Sequence, residues 1–347
     1  MHTNVCMQVT FMLGLLRIRE LLQLCLVRKP SLGEACTMHK WLGHKLAILN
    51  AQLCKRFAVA LSAGALGIGA ACATDVSLVD DRQREIRFEQ PPLRIVSLLP
   101  SLTETICVLD ACERLVGVDR YSNWPQATLS KLPVVGGGLD PNVEAIVALR
   151  PDVVVLSNSA RVVERLEMLG LRTVTLEPRT QADVQRVIHV LAHMLGLPKE
   201  RAEQEWERLQ SGIDAAAQTV PKTVHGARVY FEVSRGPFVA GPTSFIGEML
   251  QRMYVQNVIP SELGPFPRVS PEFLVRANPE IILMGSHSMQ VAHTYPGWQR
   301  MDAVKHQRVC AFNADESGVI VRPGPRMDEA ARIIAQCLAQ KAPSDAK

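Results

Sequence analysis

The sequence predicts an α/β protein of two similar doubly wound lobes joined by a single long helix, with a cleft between the lobes. Three observations carry this. One helix-turn-strand unit occurs twice, as DPNVEAIVALRPDVVVL at 140–156 and SPEFLVRANPEIILM at 270–284. Each copy opens with a capping residue and a proline at the first helical position, Asp140-Pro141 and Ser270-Pro271. Each carries a glutamate in its first turns (Glu144, Glu272) and closes its helix at a proline seven residues later (Pro151, Pro279). An acid follows, Asp152 or Glu280, and then branched apolar residues that read as a buried parallel strand. Chance likeness of two common αβ units is the plainer alternative. Secondly, strands alternate with helices around both copies, the pattern of a parallel sheet. Thirdly, residues 180–220 hold no strand and read as two helices broken at Gly196-Leu197-Pro198. The second, from about Pro198 to Gln218, places Trp206, Leu209, Ile213 and Ala216 on one stripe. At its length it spans roughly 30 Å, enough for a rigid spine between lobes; an ordinary surface helix of one lobe is the alternative.

The resulting organisation is an extension with signal peptide (1–73), an N-terminal lobe (74–180), linking helices (181–222), a C-terminal lobe (223–341) and a polar tail (342–347). The 347 residues suffice for two domains, and a hydrophobic share of 47% is that of a globular protein. A net charge of +4, with much of the excess in the first 60 residues, argues against nucleic acid, as does the lack of a basic stripe with interleaved aromatics.

At the front, Lys55 and Arg56 precede the apolar run Phe57 to Ala71, which ends in Ala71-Cys72-Ala73. This is the three-part pattern of an export signal, with Met38 as the natural start. The run is shorter than the roughly 20 residues of a membrane span. Cys72 raises a lipid anchor, ranked second because Gly69 stands where a larger apolar residue is expected. Export permits disulfides among Cys107, Cys112, Cys310 and Cys337, whose pairing stays open.

Taken in order, residues 76–90 alternate as a hairpin, and Pro91-Pro92 leads into a strand at 93–99. Ser101 and Glu104 read as a capping box that starts a helix at the strand's end, its free N–H groups facing the crevice where α/β ligands sit. After a strand at 115–118 comes Asp119-Arg120-Tyr121-Ser122-Asn123-Trp124-Pro125; aromatics are 5% of the chain, so two in one loop suggest a ligand platform or a loop anchor. Gly136-Gly137-Gly138 lacks dinucleotide-loop spacing and marks close backbone approach to a ligand, or a bare turn. Gly170 caps a helix (161–169) before a strand (172–176). The second lobe brings a strand at 228–233 and a helix ending at Met253. After the second repeat follow a loop with His287 and His293, a short helix at Trp298, a strand at 309–312, and a last helix opened by Arg322-Pro323-Gly324-Pro325-Arg326.

No nucleophile-and-base constellation, zinc spacing or phosphate loop occurs in the chain, so no enzyme, catalytic cofactor or metal site is expected. Loops at strand ends carrying Tyr, Trp, Phe and Arg instead have the composition of a binding cleft.

The stretches VSLVDDRQREIRF…PPLRIVSLLPSLTETI, LVGVDRYSNWP, NVEAIVALRPDVVV and GPFPRVSPEFLVRANPEIILM together resemble the periplasmic substrate-binding proteins of ATP-binding-cassette importers, over about 76–340. The nearest branch is that for cobalamin, iron-siderophores and haem, above all its cobalamin-binding members. The resemblance implies two Rossmann-like lobes joined by one long backbone helix, a ligand between them, and a monomer delivering cobalamin to an inner-membrane permease and ATPase from the periplasm. The family's cleft aromatics fall on Tyr121, Phe238 and Phe266, with Trp124 beside the first, and its arginine near Arg322. A further tryptophan falls within Gly136 to Gly138, so Gly138 would meet the ligand by backbone alone, and an aspartate falls on Gly318, with Asp315 and Glu316 close by. The permease-docking glutamates fall on Glu144 and Glu272, for which helix-dipole stabilisation is the simpler role. An iron-siderophore or haem is the alternative ligand, with Tyr121 or His287 offering haem an axial atom. Zinc or manganese binding is disfavoured, and an exported α/β enzyme using a metal-bound cofactor is the alternative from another class.

Overall fold

The computed structural model describes residues 75–342 except 236; the export signal, Cys72 and the last residues of the tail lie outside these. The hairpin pairs β1 (Val76–Val79) with β2 (Glu85–Phe88), antiparallel, Val76 facing Phe88. Its turn is tied down by Asp80, a buried carboxylate that accepts from Arg82 N and Arg84 N (both 3.0 Å) and from Thr175 Oγ1 (2.6 Å). Burial raises its pKa, but Arg84 and Thr175 outweigh this and hold it below the ordinary value.

The first lobe is a parallel sheet of order β4-β3-β5-β6, from β3 (Ile95–Ser97), β4 (Leu115–Val118), β5 (Val153–Leu156) and β6 (Thr173–Thr175). All four residues of β5 are fully buried, as a strand covered on both faces requires. Its helices are α1 (Pro100–Val108), α2 (Gln126–Leu129), α3 (Val143–Ala148) and α4 (Val163–Met168). The linking helices are α5 (Gln181–Met194), started by a Thr180–Asp183 capping box, and α6 (Lys199–Gln218). The second sheet runs β11-β10-β7-β8 with β9 beside β7, from β7 (Arg228–Ser234), β8 (Phe238–Val239), β9 (Gln256–Asn257), β10 (Ile281–Gly285) and β11 (Val309–Phe312). Its helices are α7 (Phe245–Arg252), α8 (Pro271–Ala277), α9 (Ser286–Ala292), α10 (Asp302–Lys305), α11 (Ala314–Ile320) and α12 (Met327–Gln340).

The repeat is physical. Arg150 (φ 46°) and Asn278 (φ 40°) both turn left-handed, so each helix ends before its proline. Asp152 Oδ2 accepts from Leu93 N and Arg94 N (both 2.8 Å), and Glu280 Oε2 from Arg228 N (2.9 Å). The acid of each copy thus pins the start of the strand beside its own.

Two expectations about these elements need correction, and one helix was not foreseen. The first copy is capped by Asn142, which accepts from Ala145 N (2.9 Å), while Asp140 pairs with Arg120. Ser270 caps the second copy as expected, accepting from Phe273 N (3.2 Å). His287 lies in α9 and not in a loop, with His293 just past its end. Helix α11, opened by an Asn313–Glu316 capping box, was not anticipated.

The spine helix α6 buries Leu209, Ile213 and Ala216 and packs on α5 and α12. It reaches both lobes: Arg201 Nη2 donates to Asp110 (3.0 Å), and Arg208 donates to Asp328 (3.0 Å) and to the Pro325 carbonyl (2.6 Å). Gly212 permits the close crossing of α12, since a Cβ there would meet Asp328 Cβ at 2.6 Å. Disulfides join Cys107 to Cys112 and Cys310 to Cys337.

Candidate ligand-binding cleft

The loops that follow the parallel strands of both sheets gather on one side, because parallel strands end together. After β4, buried Asp119 accepts from Ser122 Oγ (2.5 Å) and Tyr121 N (3.0 Å), which fixes the aromatic loop. Burial raises the Asp119 carboxyl, against the pull of those bonds. The two loop aromatics then part company. Tyr121 is 60% exposed, whereas Trp124 is half-buried beneath Arg326, whose guanidinium lies 5.1 Å from its ring.

Ser101 and Glu104 do not form a capping box: α1 starts at Pro100 after Leu99 with no side-chain cap. Glu104 is 1% exposed and meets the other lobe. Arg322 Nη1 donates to Glu104 Oε1 (2.7 Å) and Asn123 Oδ1 (2.8 Å), Nη2 donates to the Tyr121 carbonyl (2.8 Å), and Arg326 lies 3.6 Å from the same carboxylate. Burial pushes the Glu104 pKa up, and the two arginines pull against it. Gly324 seats its Cα side on Ser101, so the loop 322–326 covers the helix end that the sequence left open to ligand. Gly318 stands one turn before Arg322 without an acid, and Glu104 supplies one from the opposite lobe.

A cavity of about 500 Å³ opens between the lobes, lined by Glu177 and Arg179 after β6 and by Phe238, Phe266, Val321 and Pro323 of the second lobe. Phe238 is 43% exposed, and Phe266 is half-buried against Phe245 (ring centroids 5.9 Å apart). Hydrogen bonds from Ser157 (2.7 Å), Ser159 N (2.9 Å) and Arg179 (2.9 Å) order Glu177. Burial raises its pKa, but those partners prevail and leave it lowered. A second cavity, about 350 Å³, lies between Trp124 and Arg322 on one side and α11 on the other. A third, about 240 Å³, sits at the ends of β7, β10 and β11 and contains Glu232 in its wall. Burial raises the Glu232 carboxyl, opposed by the Ser288 and Tyr230 hydroxyls.

Of the residues singled out from sequence, Phe238 and Phe266 share one cavity, and Arg322 reaches Tyr121 through its backbone. Gly138 lies against the chain itself: a Cβ there would meet the Leu98 carbonyl at 2.6 Å. Glu144 and Glu272 stand exposed in the first turns of α3 and α8 and line none of these cavities. Glu104, Glu177, Arg179 and Glu232 were missed. Only its position after a predicted strand marked Glu177, Glu232 lay within the predicted strand 228–233 and so read as a strand residue, and the apparent capping box disguised Glu104. Among the described residues no cluster of three or more His, Cys, Asp or Glu stands together for a metal, and no helix is long and apolar enough to cross a membrane.

The family model described as periplasmic binding protein matches residues 95–316. The chain is 30% identical over 266 residues to the vitamin B12-binding protein of Pectobacterium atrosepticum, covering 74% of this chain and 92% of that protein. It is 27% identical to an uncharacterized ABC transporter substrate-binding lipoprotein of Bacillus subtilis, over 76% of this chain and 85% of the relative. In structure it is similar to the apo form of a periplasmic heme-binding protein from Roseiflexus sp. RS-1, with a TM-score of 0.62 and 25% identity over 72% of this chain and 99% of the other.

Proposed function

Since the chain belongs to the periplasmic binding protein family, we propose that it captures a cobalamin between its lobes and delivers it to the permease and ATPase of an importer. The chain is a substrate-binding protein of ATP-binding-cassette transport. The observation that carries the finer reading is the cavity of about 500 Å³, where Phe238 and Phe266 face Glu177 and Arg179 across the cleft. Apolar rings with a few polar groups at the rim suit a large amphipathic chelate. A relative at 30% identity that is named for vitamin B12 supports the cobalamin reading. Haem is the second reading, supported by the Roseiflexus neighbour and by the exposed phenol of Tyr121.

The test is a tryptophan-fluorescence titration of residues 74–347 with cobalamin, haem and ferric siderophores, checked by calorimetry. Stoichiometric submicromolar cobalamin binding is expected. Tight haem binding with a Soret band, and none of cobalamin, moves the substrate to the second reading.

A further inference from the structure

The third cavity is not needed to hold a flat macrocycle, yet it is chemically furnished. It shares Val233 and Val321 with the large cavity, so it opens beside the cleft rather than on a remote face. In its wall Glu232 is 1% exposed. Oε2 accepts from the Tyr230 hydroxyl (3.3 Å), while Oε1 makes no hydrogen bond of good geometry among the described residues, although the Ser288 hydroxyl stands near enough to favour the charged form. A buried carboxyl oxygen left alone is costly and calls for a partner, which a ligand group entering the cavity can supply. At the mouth Arg235 donates to the His287 carbonyl (3.3 Å), and Ser288 lies alongside.

We propose that this cavity is a side pocket of the cleft that takes a primary-amide arm of the transported ligand, with Glu232 as the acceptor that selects it. The inference rests on the reading of the cleft as the ligand site. The surroundings choose among polar arms. A carboxylate arm would face the Glu232 carboxyl, and an ammonium arm would pass the Arg235 guanidinium. An amide satisfies both ends: its N–H reaches Glu232 Oε1, and its carbonyl accepts from Ser288 or Arg235. The apolar remainder, including Phe312 and Ile320, suits the methylenes that carry such an arm.

The experiment is calorimetric titration of the purified protein, as wild type, Glu232→Met and Glu232→Gln, with cyanocobalamin, with its amide-to-acid monocarboxylates, and with haem. Glu232→Met keeps the length and removes the acceptor; it is expected to weaken cobalamin binding at least about tenfold while the melting temperature holds or rises. Glu232→Gln keeps one acceptor oxygen and is expected to retain wild-type affinity within about threefold. At least one monocarboxylate is expected to bind wild type less tightly than the parent. Wild-type affinity in Glu232→Met overturns the side pocket and leaves the cleft reading intact. Loss of affinity and melting temperature together in both variants assigns Glu232 to the core and overturns it as well. Wild type that binds no cobalamin, or haem alone, overturns the ligand reading itself and the amide pocket with it.

Discussion

Arg322 joins the two lobes with one side chain. Its partner Glu104 is buried, and a buried carboxylate is tolerable only while paired. Replacing Arg322 by Met leaves Glu104 with Arg326 alone, at 3.6 Å. We expect Arg322→Met to cost about 3 kcal/mol, and the pair Glu104→Leu, Arg322→Met to return near wild type, since two apolar groups leave no buried carboxylate behind and Arg326 keeps Glu329 as its partner (2.9 Å). Urea unfolding of both checks this; a double variant as unstable as the single one would show that the ion pair is not the cause. At this scale the sequence was least legible. S-x-x-E before an apolar run is a sound capping signal, but Leu99-Pro100 already starts α1, and Glu104 is drawn across the cleft by arginines some 220 positions on.

At the scale of elements, the two helix-turn-strand units do matching work. Each ends in a left-handed residue before proline, and each acid pins a neighbouring strand. Local rules of capping and period were enough to find both, although the first begins at Asn142 because Arg120 draws Asp140 away. Their glutamates hold equivalent positions at the starts of α3 and α8. Glu144 contacts Arg165 at 3.1 Å with 79% of its side chain exposed, so that pair contributes little to stability. The hydrogen bond with Ser270 holds Glu272 below the usual carboxylate range, so it is charged at neutral pH. One exposed carboxylate per lobe can steer docking on a basic permease surface. We expect Glu144→Arg or Glu272→Arg to leave ligand affinity unchanged and to abolish uptake in cells that express the importer. Normal uptake by both variants would leave these residues with the helix-dipole role alone.

At the largest scale, the described residues are knit across the cleft. One contiguous core runs from the hairpin (Val76) through α1, α5 and α6 to α7 and α12 (Leu338), so both lobes share it, while each lobe also keeps a smaller cluster of its own. The spine helix is gripped from both sides through Arg201 and Arg208, and Arg322 closes the far edge. Hinge opening would have to break a shared core and a buried ion pair together. We therefore expect only slight closure on ligand binding, with the radius of gyration from X-ray scattering shifting by less than about 1 Å. A larger contraction would place a hinge within the α5–α6 link.

The sequence by itself determined the alternation of strands and helices, the repeat, the spine helix and the strand-end aromatics, because these follow from period, capping and turn chemistry within a few residues. Phe238 and Phe266 came from the family resemblance, and the fold brings them into one cavity. Only the tertiary structure decided which disulfides form, that Gly138 packs on Leu98, that Trp124 lies under Arg326, and that Glu104 and Glu232 are buried in the walls. Each of these depends on a partner distant in the chain, or on how much water the fold excludes, and neither is written in local pattern.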